Sequence, residues 1–352
     1  VKRIPPLYLL TAVVFLVEGT LVSAGSAPRA NGDESITRAA ASRLVHTASF
    51  SWRDHDRCRT VPVTIYYPSG DDADLPVILF SHGLGRSRHA CAYLGRYWAG
   101  KGYVSVHVEH LGSNEAVWRG SLRAKQRLRA AFYSRANRRN RPQDISFAID
   151  RREEMEAAGH PLGARLNLTR VGTVGHDFGA QTSLVLAGEM LPGEESCADS
   201  RIKAVVAMST PVPPGESLDK VFGPVEVPCL HVTGTRDDSL VATTRANQRR
   251  LPFDTISAAD QYLVTFCGAD HLIYAGHPLP RRNRDRNDGG YQRRLRLVTT
   301  LFWDAYLRGD TDARRVIANG GLAETAGRIA RVEQKAAAPF VSPVSSADRE
   351  AE

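Results

Sequence analysis

With 352 residues, 42% of them hydrophobic, the chain can bury a sizeable core, which excludes a disordered or disulfide-stapled small protein and favours one large α/β domain over two small ones. Five cysteines (Cys58, Cys91, Cys197, Cys229 and Cys267) with no C-x-x-C spacing exclude a disulfide framework and a cysteine metal site, and at least one must be unpaired. The formal charge of +8 is concentrated: nine Lys or Arg and no acid lie between Arg119 and Arg141.

In chain order, Lys2 and Arg3 precede an apolar stretch over 7–17 and then small residues at Ser23, Ala24, Ser26 and Ala27. This is the layout of a signal peptide over residues 1–26, cleaved between Ala24 and Ala27, and implies a secreted or periplasmic protein. Glu18 ends the apolar stretch well short of the ~20 residues of a spanning helix. A polar leader over 27–45 leads into one large domain over 46–318. Residues 46–69 alternate like an antiparallel strand or hairpin ending in Ile65-Tyr66-Tyr67-Pro68. The continuous apolar run 75–80 suits a strand buried on both faces of a parallel sheet. A helix over 88–101, stopped by Gly102, and a strand over 103–108 follow.

The basic segment 113–142 then interrupts the alternation as a lid-like insertion or pocket wall. Only Phe132 and Tyr133 within its charged core could stack on bases, so it reads as a solvated helical face and no nucleic-acid partner is expected. A basic block can still meet anionic lipid, which leaves peripheral membrane contact open. A helix over 143–158, a strand over 171–174, a helix over 180–190, strands over 202–208, 229–233 and 262–266, and an amphipathic helix over 291–307 complete a mostly parallel sheet with helices on both faces. Cys229 and Cys267, in apolar runs, read as buried small hydrophobes. The tail 319–352, rich in Ala, Ser and charge, reads as mobile.

The chemistry centres on Gly175-His176-Asp177-Phe178-Gly179, a G-x-D-x-G between a strand and a helix. Glycines two residues either side allow the sharp turn of a nucleophile elbow, here with aspartate where serine usually sits. In an open α/β sheet the site gathers at the carboxyl ends of strands. Three further candidates follow apolar runs there: His82-Gly83-Leu84-Gly85, the pair Asp237 and Asp238, and His271. Their order, nucleophile then acid then histidine, is that of an α/β-hydrolase triad. Leu84 N–H and Phe178 N–H would form an oxyanion hole, His271 would be the general base, and Asp238 or Asp237 would fix its tautomer, with Asp238 favoured.

The run Phe80-Ser81-His82-Gly83-Leu84-Gly85, the strand Gly102-Tyr103-Val104-Ser105-Val106, the elbow Val174-Gly175-His176-Asp177-Phe178-Gly179-Ala180, the loop Thr233-Gly234-Thr235-Arg236-Asp237-Asp238 and Ala269-Asp270-His271-Leu272 together resemble the platelet-activating-factor acetylhydrolase group and related bacterial dienelactone hydrolases, apart from the nucleophile. The resemblance covers about residues 50–310. It implies an α/β-hydrolase fold and an esterase acting on short or modified acyl esters, with a small-molecule or lipid ester as substrate and no cofactor or metal.

Asp177 opens two alternatives. A carboxylate is an elbow nucleophile for alkyl carbon, displacing halide or opening an epoxide, whereas its attack on an ester carbonyl would form a mixed anhydride, an uphill step. The first alternative is therefore an aspartate-nucleophile hydrolase of carbon–halogen or epoxide bonds. The second is a non-catalytic protein that keeps the pocket and binds an acyl or lipid ligand.

Overall fold

The computed structural model describes residues 43–157, 159–275 and 288–338. The signal-peptide and leader expectations over 1–42 lie outside them. Strands β1 (Val45–Asp54) and β2 (Arg59–Pro68) form the expected hairpin. They are followed by β3 (Leu75–Ser81), helix α1 (Ala92–Gly100) and β4 (Val104–Val108). Helices α2 (Ala124–Tyr133), α3 (Arg135–Asp150) and α4 (Arg152–Ala157) come next. Strand β5 (Leu166–His176) then leads through the elbow to α5 (Phe178–Leu186). The remainder is β6 (Ile202–Met208), α6 (Leu218–Phe222), β7 (Cys229–Arg236), α7 (Leu251–Thr255), β8 (Gln261–Asp270), α8 (Asp288–Tyr306), α9 (Thr311–Ala318), α10 (Gly321–Ala326) and β9 (Ala330–Lys335).

These strands form one sheet in the order β1-β2-β4-β3-β5-β6-β7-β8-β9. β4 through β8 run parallel, while β1, β2 and β9 add antiparallel edges. This is the α/β-hydrolase fold. Every residue of β3 and β4 is buried, as expected of central parallel strands covered on both faces. One core layer packs Leu94, Trp98, Phe302 and Trp303 of α1 and α8 against one face, and a second packs Ile145, Ile149, Leu184 and Leu186 of α3 and α5 against the other.

Three expectations are corrected. The helix placed at 143–158 begins at Arg135, inside the basic segment, because Ser134 caps it by accepting from Asn137 N–H, and Pro142 is carried within it. The tail beyond residue 319 is structured to 338: Leu322 and Ala326 are buried, and β9 pairs with β8 from Gln261↔Lys335 to Phe266↔Ala330. Cys267 is exposed, because it follows buried Phe266 on β8 and so points to the opposite face. Among the described residues no helix is long and apolar enough to cross a membrane, and no cluster of His, Cys, Asp and Glu could hold a metal ion.

Candidate active site

The elbow is a steric solution before it is a chemical one. Asp177 sits at φ 55° and ψ −121°, a left-handed backbone that costs a non-glycine residue of order 1–3 kcal/mol and persists only when its surroundings impose it. The two flanking glycines impose it by closeness. A Cβ on Gly175 would lie 2.1 Å from the Gly179 carbonyl, and one on Gly179 would lie 1.9 Å from the Ser81 carbonyl oxygen. The turn is then tied to the sheet by Asp177 N–H donating to Met208 O at 2.9 Å.

From this turn the Asp177 carboxylate reaches two groups. Oδ2 accepts the Leu84 N–H at 3.2 Å. Oδ1 lies 3.7 Å from His271 Nε2. Burial pushes the Asp177 carboxyl upward, but His271, His176, Arg249 and the Phe178 N–H together outweigh it and hold the group below the usual aspartate value. The side chain is therefore a carboxylate at neutral pH, and it occupies the Leu84 N–H, one of the two backbone donors expected to bind an oxyanion.

His271 follows β8, and its Nδ1 is 2.8 Å from Asp237 Oδ1. Asp237 is fully buried and its other oxygen accepts Ser209 Oγ–H at 2.6 Å and Thr233 Oγ–H at 2.9 Å. Burial would raise its carboxyl, yet His271, Arg249 and Ser209 keep it lowered. The favoured acid, Asp238, is not the one brought to the histidine. Its side chain is 54% exposed, pairs with Arg245 at 3.2 Å and caps Ala246 N–H at 2.9 Å. Neighbouring residues leaving a strand end point in opposed directions, and here only Asp237 turns inward, to the Ser209 and Thr233 hydroxyls that donate to it.

Several members of the site escape pattern reading. His176 donates from Nε2 to the His271 backbone oxygen at 3.0 Å, and burial drives its imidazole down to about 3, so it is a neutral prop beneath the histidine loop. Arg249, 1% exposed, donates to Asp237 O at 3.1 Å and Ser209 O at 2.6 Å, and its Nη2 lies 3.6 Å from Asp237 Oδ1. Arg141, the last residue of the basic block, is also 1% exposed. Burial lowers its guanidinium to about 9 against the pull of Asp177 and Asp144, which leaves it a cation at neutral pH. No motif marks these residues, since burial of a lone Arg or His is set by the fold.

Beside the elbow helix lies a cavity of about 200 Å³ lined by Phe132, Tyr133, Gln181, Pro211, Val212 and Ala242, among others. It is mostly apolar, with the Gln181 carboxamide one helical turn beyond Asp177. Gln181 donates to Glu189 at 3.2 Å, and burial pushes the Glu189 carboxyl up to about 8.

Residues 59–158 match the family model described as platelet-activating factor acetylhydrolase, isoform II. The matched stretch carries the His82-Gly83-Leu84 loop and Arg141 and ends before the elbow, so Asp177, Asp237 and His271 lie outside it. No curated protein sequence matches the chain significantly. Fold and matched segment together support an esterase-like hydrolase similar to the acetylhydrolases.

Proposed function

We propose that this is an ester-hydrolase site of the acetylhydrolase type, for short or modified acyl esters, held shut by its own elbow side chain. The seat of the Asp177 carboxylate carries the reading: it already binds the Leu84 N–H, one of the two donors that would stabilise a developing acyl oxyanion, and the other, the Phe178 N–H, favours its charged form. The remaining parts support ester chemistry. His271 is oriented by buried Asp237 through a 2.8 Å hydrogen bond, which fixes Nε2 toward the elbow. With a serine hydroxyl at position 177, that Nε2 would take the hydroxyl proton, the oxygen would add to the ester carbonyl, and the alcohol would leave with the same proton. Water activated by His271 would then hydrolyse the acyl ester. A carboxylate at this position must instead expel an alkoxide to form an anhydride.

A second reading has one observation in its favour: Oδ2 is anchored while Oδ1 carries only the 3.7 Å approach to His271, an arrangement suited to attack on alkyl carbon. Against it, the Trp118 indole N–H, a candidate halide donor near the loop, is spent on Gly85 O at 2.8 Å.

The deciding experiment compares the chain with Asp177→Ser on a short-chain p-nitrophenyl ester, with halide release and epoxide opening followed in parallel. The serine variant is expected to hydrolyse the ester at least about a hundredfold faster. Equal ester rates with halide or epoxide turnover confined to the aspartate form would establish the second reading. No turnover in either form, with saturable binding of a fatty acid, would establish a binding protein. Export is proposed from the N-terminal pattern alone, and the intact mass of exported protein tests it: a mature chain beginning between Ala24 and Ala27 is expected, one beginning at Val1 counts against it.

A further inference from the structure

The two oxyanion donors come from different segments. Leu84 lies on the loop after β3 and Phe178 on the turn after β5, and the two strands are paired only as far as Ser81↔Gly175. Beyond that pair the ladder no longer sets their separation. Besides the Asp177 carboxylate, which accepts the Leu84 N–H, the Arg141 side chain spans the gap. From α3, Arg141 donates Nη2 to the His82 backbone oxygen and, at 3.1 Å, to Ser81 Oγ, both on the loop side. It donates Nε to Thr182 Oγ1 at 2.9 Å, on the elbow helix, and its guanidinium carbon lies 4.4 Å from the centre of the Phe178 ring. Its Nη1 reaches Ser113 Oγ at 2.7 Å, and Ser113 O in turn accepts the Gly85 N–H at 2.8 Å. Behind Ser81, His110 links to Asp144, which Arg57 and Arg59 hold.

We propose that Arg141 is a positioning residue that fixes the separation of the Leu84 and Phe178 N–H donors by clamping the oxyanion loop to the elbow. The proposal rests on the ester-hydrolase reading for its catalytic meaning, although the clamp itself acts on whatever anion the two donors hold. Two physical points support it. The hydrogen-bond acceptors of Arg141 are neutral oxygens, and a buried cation without a directly bonded carboxylate is a poor way to stabilise a core. The contacts also use the planar fork and the stacking face of guanidinium together, which an ammonium cannot reproduce.

The test uses Arg141→Lys, which keeps the charge and loses the fork, in two backgrounds. In Asp177→Ser, kcat for the p-nitrophenyl ester is expected to fall about 10- to 100-fold, somewhat less than outright loss of one donor, with KM within about twofold and rates normalised to active sites counted with a phosphonate ester. In the otherwise unsubstituted chain, the Asp177 carboxyl is titrated by carbon NMR, assigned by its disappearance in Asp177→Asn. Its midpoint is expected to rise by about 1 pH unit as the donors drift from it. If Asp177→Ser has no esterase activity, the ester reading falls and the titration alone decides the clamp. Should Arg141→Lys fail to fold, Thr182→Val, which removes one anchor on the elbow helix, is expected to move both readouts the same way by a smaller amount. An unchanged titration midpoint in the folded variant, or a kcat loss fully explained by fewer active sites, overturns the proposal.

Discussion

The two ends of the site are held by different means. At the acid end, Asp237 is gripped by two hydroxyls, a histidine and the flank of Arg249, all side-chain contacts from β6, β7, β8 and the loops after them. At the oxyanion end the working groups are backbone N–H donors, and side chains act only from behind them. The difference teaches where residue 177 matters. The acid end would be the same with serine or aspartate at the elbow, because none of its hydrogen bonds involves that side chain. The oxyanion end is filled or free according to that one residue.

This contrast can be broken most forcefully from the acid end. In the Asp177→Ser background, His271→Ala is expected to return ester hydrolysis to the level of the unsubstituted chain, a loss of at least about a hundredfold. Asp237→Asn is expected to lower kcat by up to about ten-thousandfold through the wrong histidine tautomer, while Asp238→Asn stays within about twofold. Comparable losses for both aspartates in steady-state rates would dissolve the distinction between them.

The elbow helix serves both ends, so damage there is expected to be structural. Gly179→Ala drives a Cβ to 1.9 Å from the Ser81 carbonyl oxygen, and about 4 kcal/mol or more should be lost in denaturant unfolding. A loss under about 1 kcal/mol would mean that the loop and elbow can separate freely, against the clamp.

A smaller effect is expected at Glu189, bonded to the same helix through Gln181. Its folded carboxyl, raised to about 8 by burial, keeps a proton that the unfolded chain releases near 4.5. Stability should therefore decline as pH rises from about 4.5 to about 8, by on the order of a few kcal/mol. Glu189→Gln is expected to flatten that decline in Tm measured at pH 5 and pH 8. A parallel pH dependence in both proteins would assign the decline elsewhere.

The central strands were legible because burial on both faces leaves unbroken apolar runs, as at 75–80 and 202–208. The elbow, the oxyanion loop and His271 were legible because each follows such a run with its own local spacing. Asp237 could not be told from Asp238, since the choice rests on Ser209 and Thr233, which arrive from β6 and β7 only in three dimensions. Arg141 was hidden among eight other basic residues whose composition reads as surface. The start of α3 was not legible because the basic segment over 113–142 reads as separate from the helix expected over 143–158, while Ser134 caps α3 within that segment. Ala330–Lys335 reads as tail because an edge strand with none of its residues fully buried has no apolar run to betray it.

That last strand has a consequence for the life of the protein outside its chemistry. β8 delivers His271 at its end and would, without β9, present an open row of backbone donors and acceptors from Gln261 to Phe266. Open edges of this kind recruit strands from other molecules. Strand β9 thus guards this edge against self-association, and proteolytic nicking between α10 and β9 would open it to other strands while leaving the motifs of the site untouched.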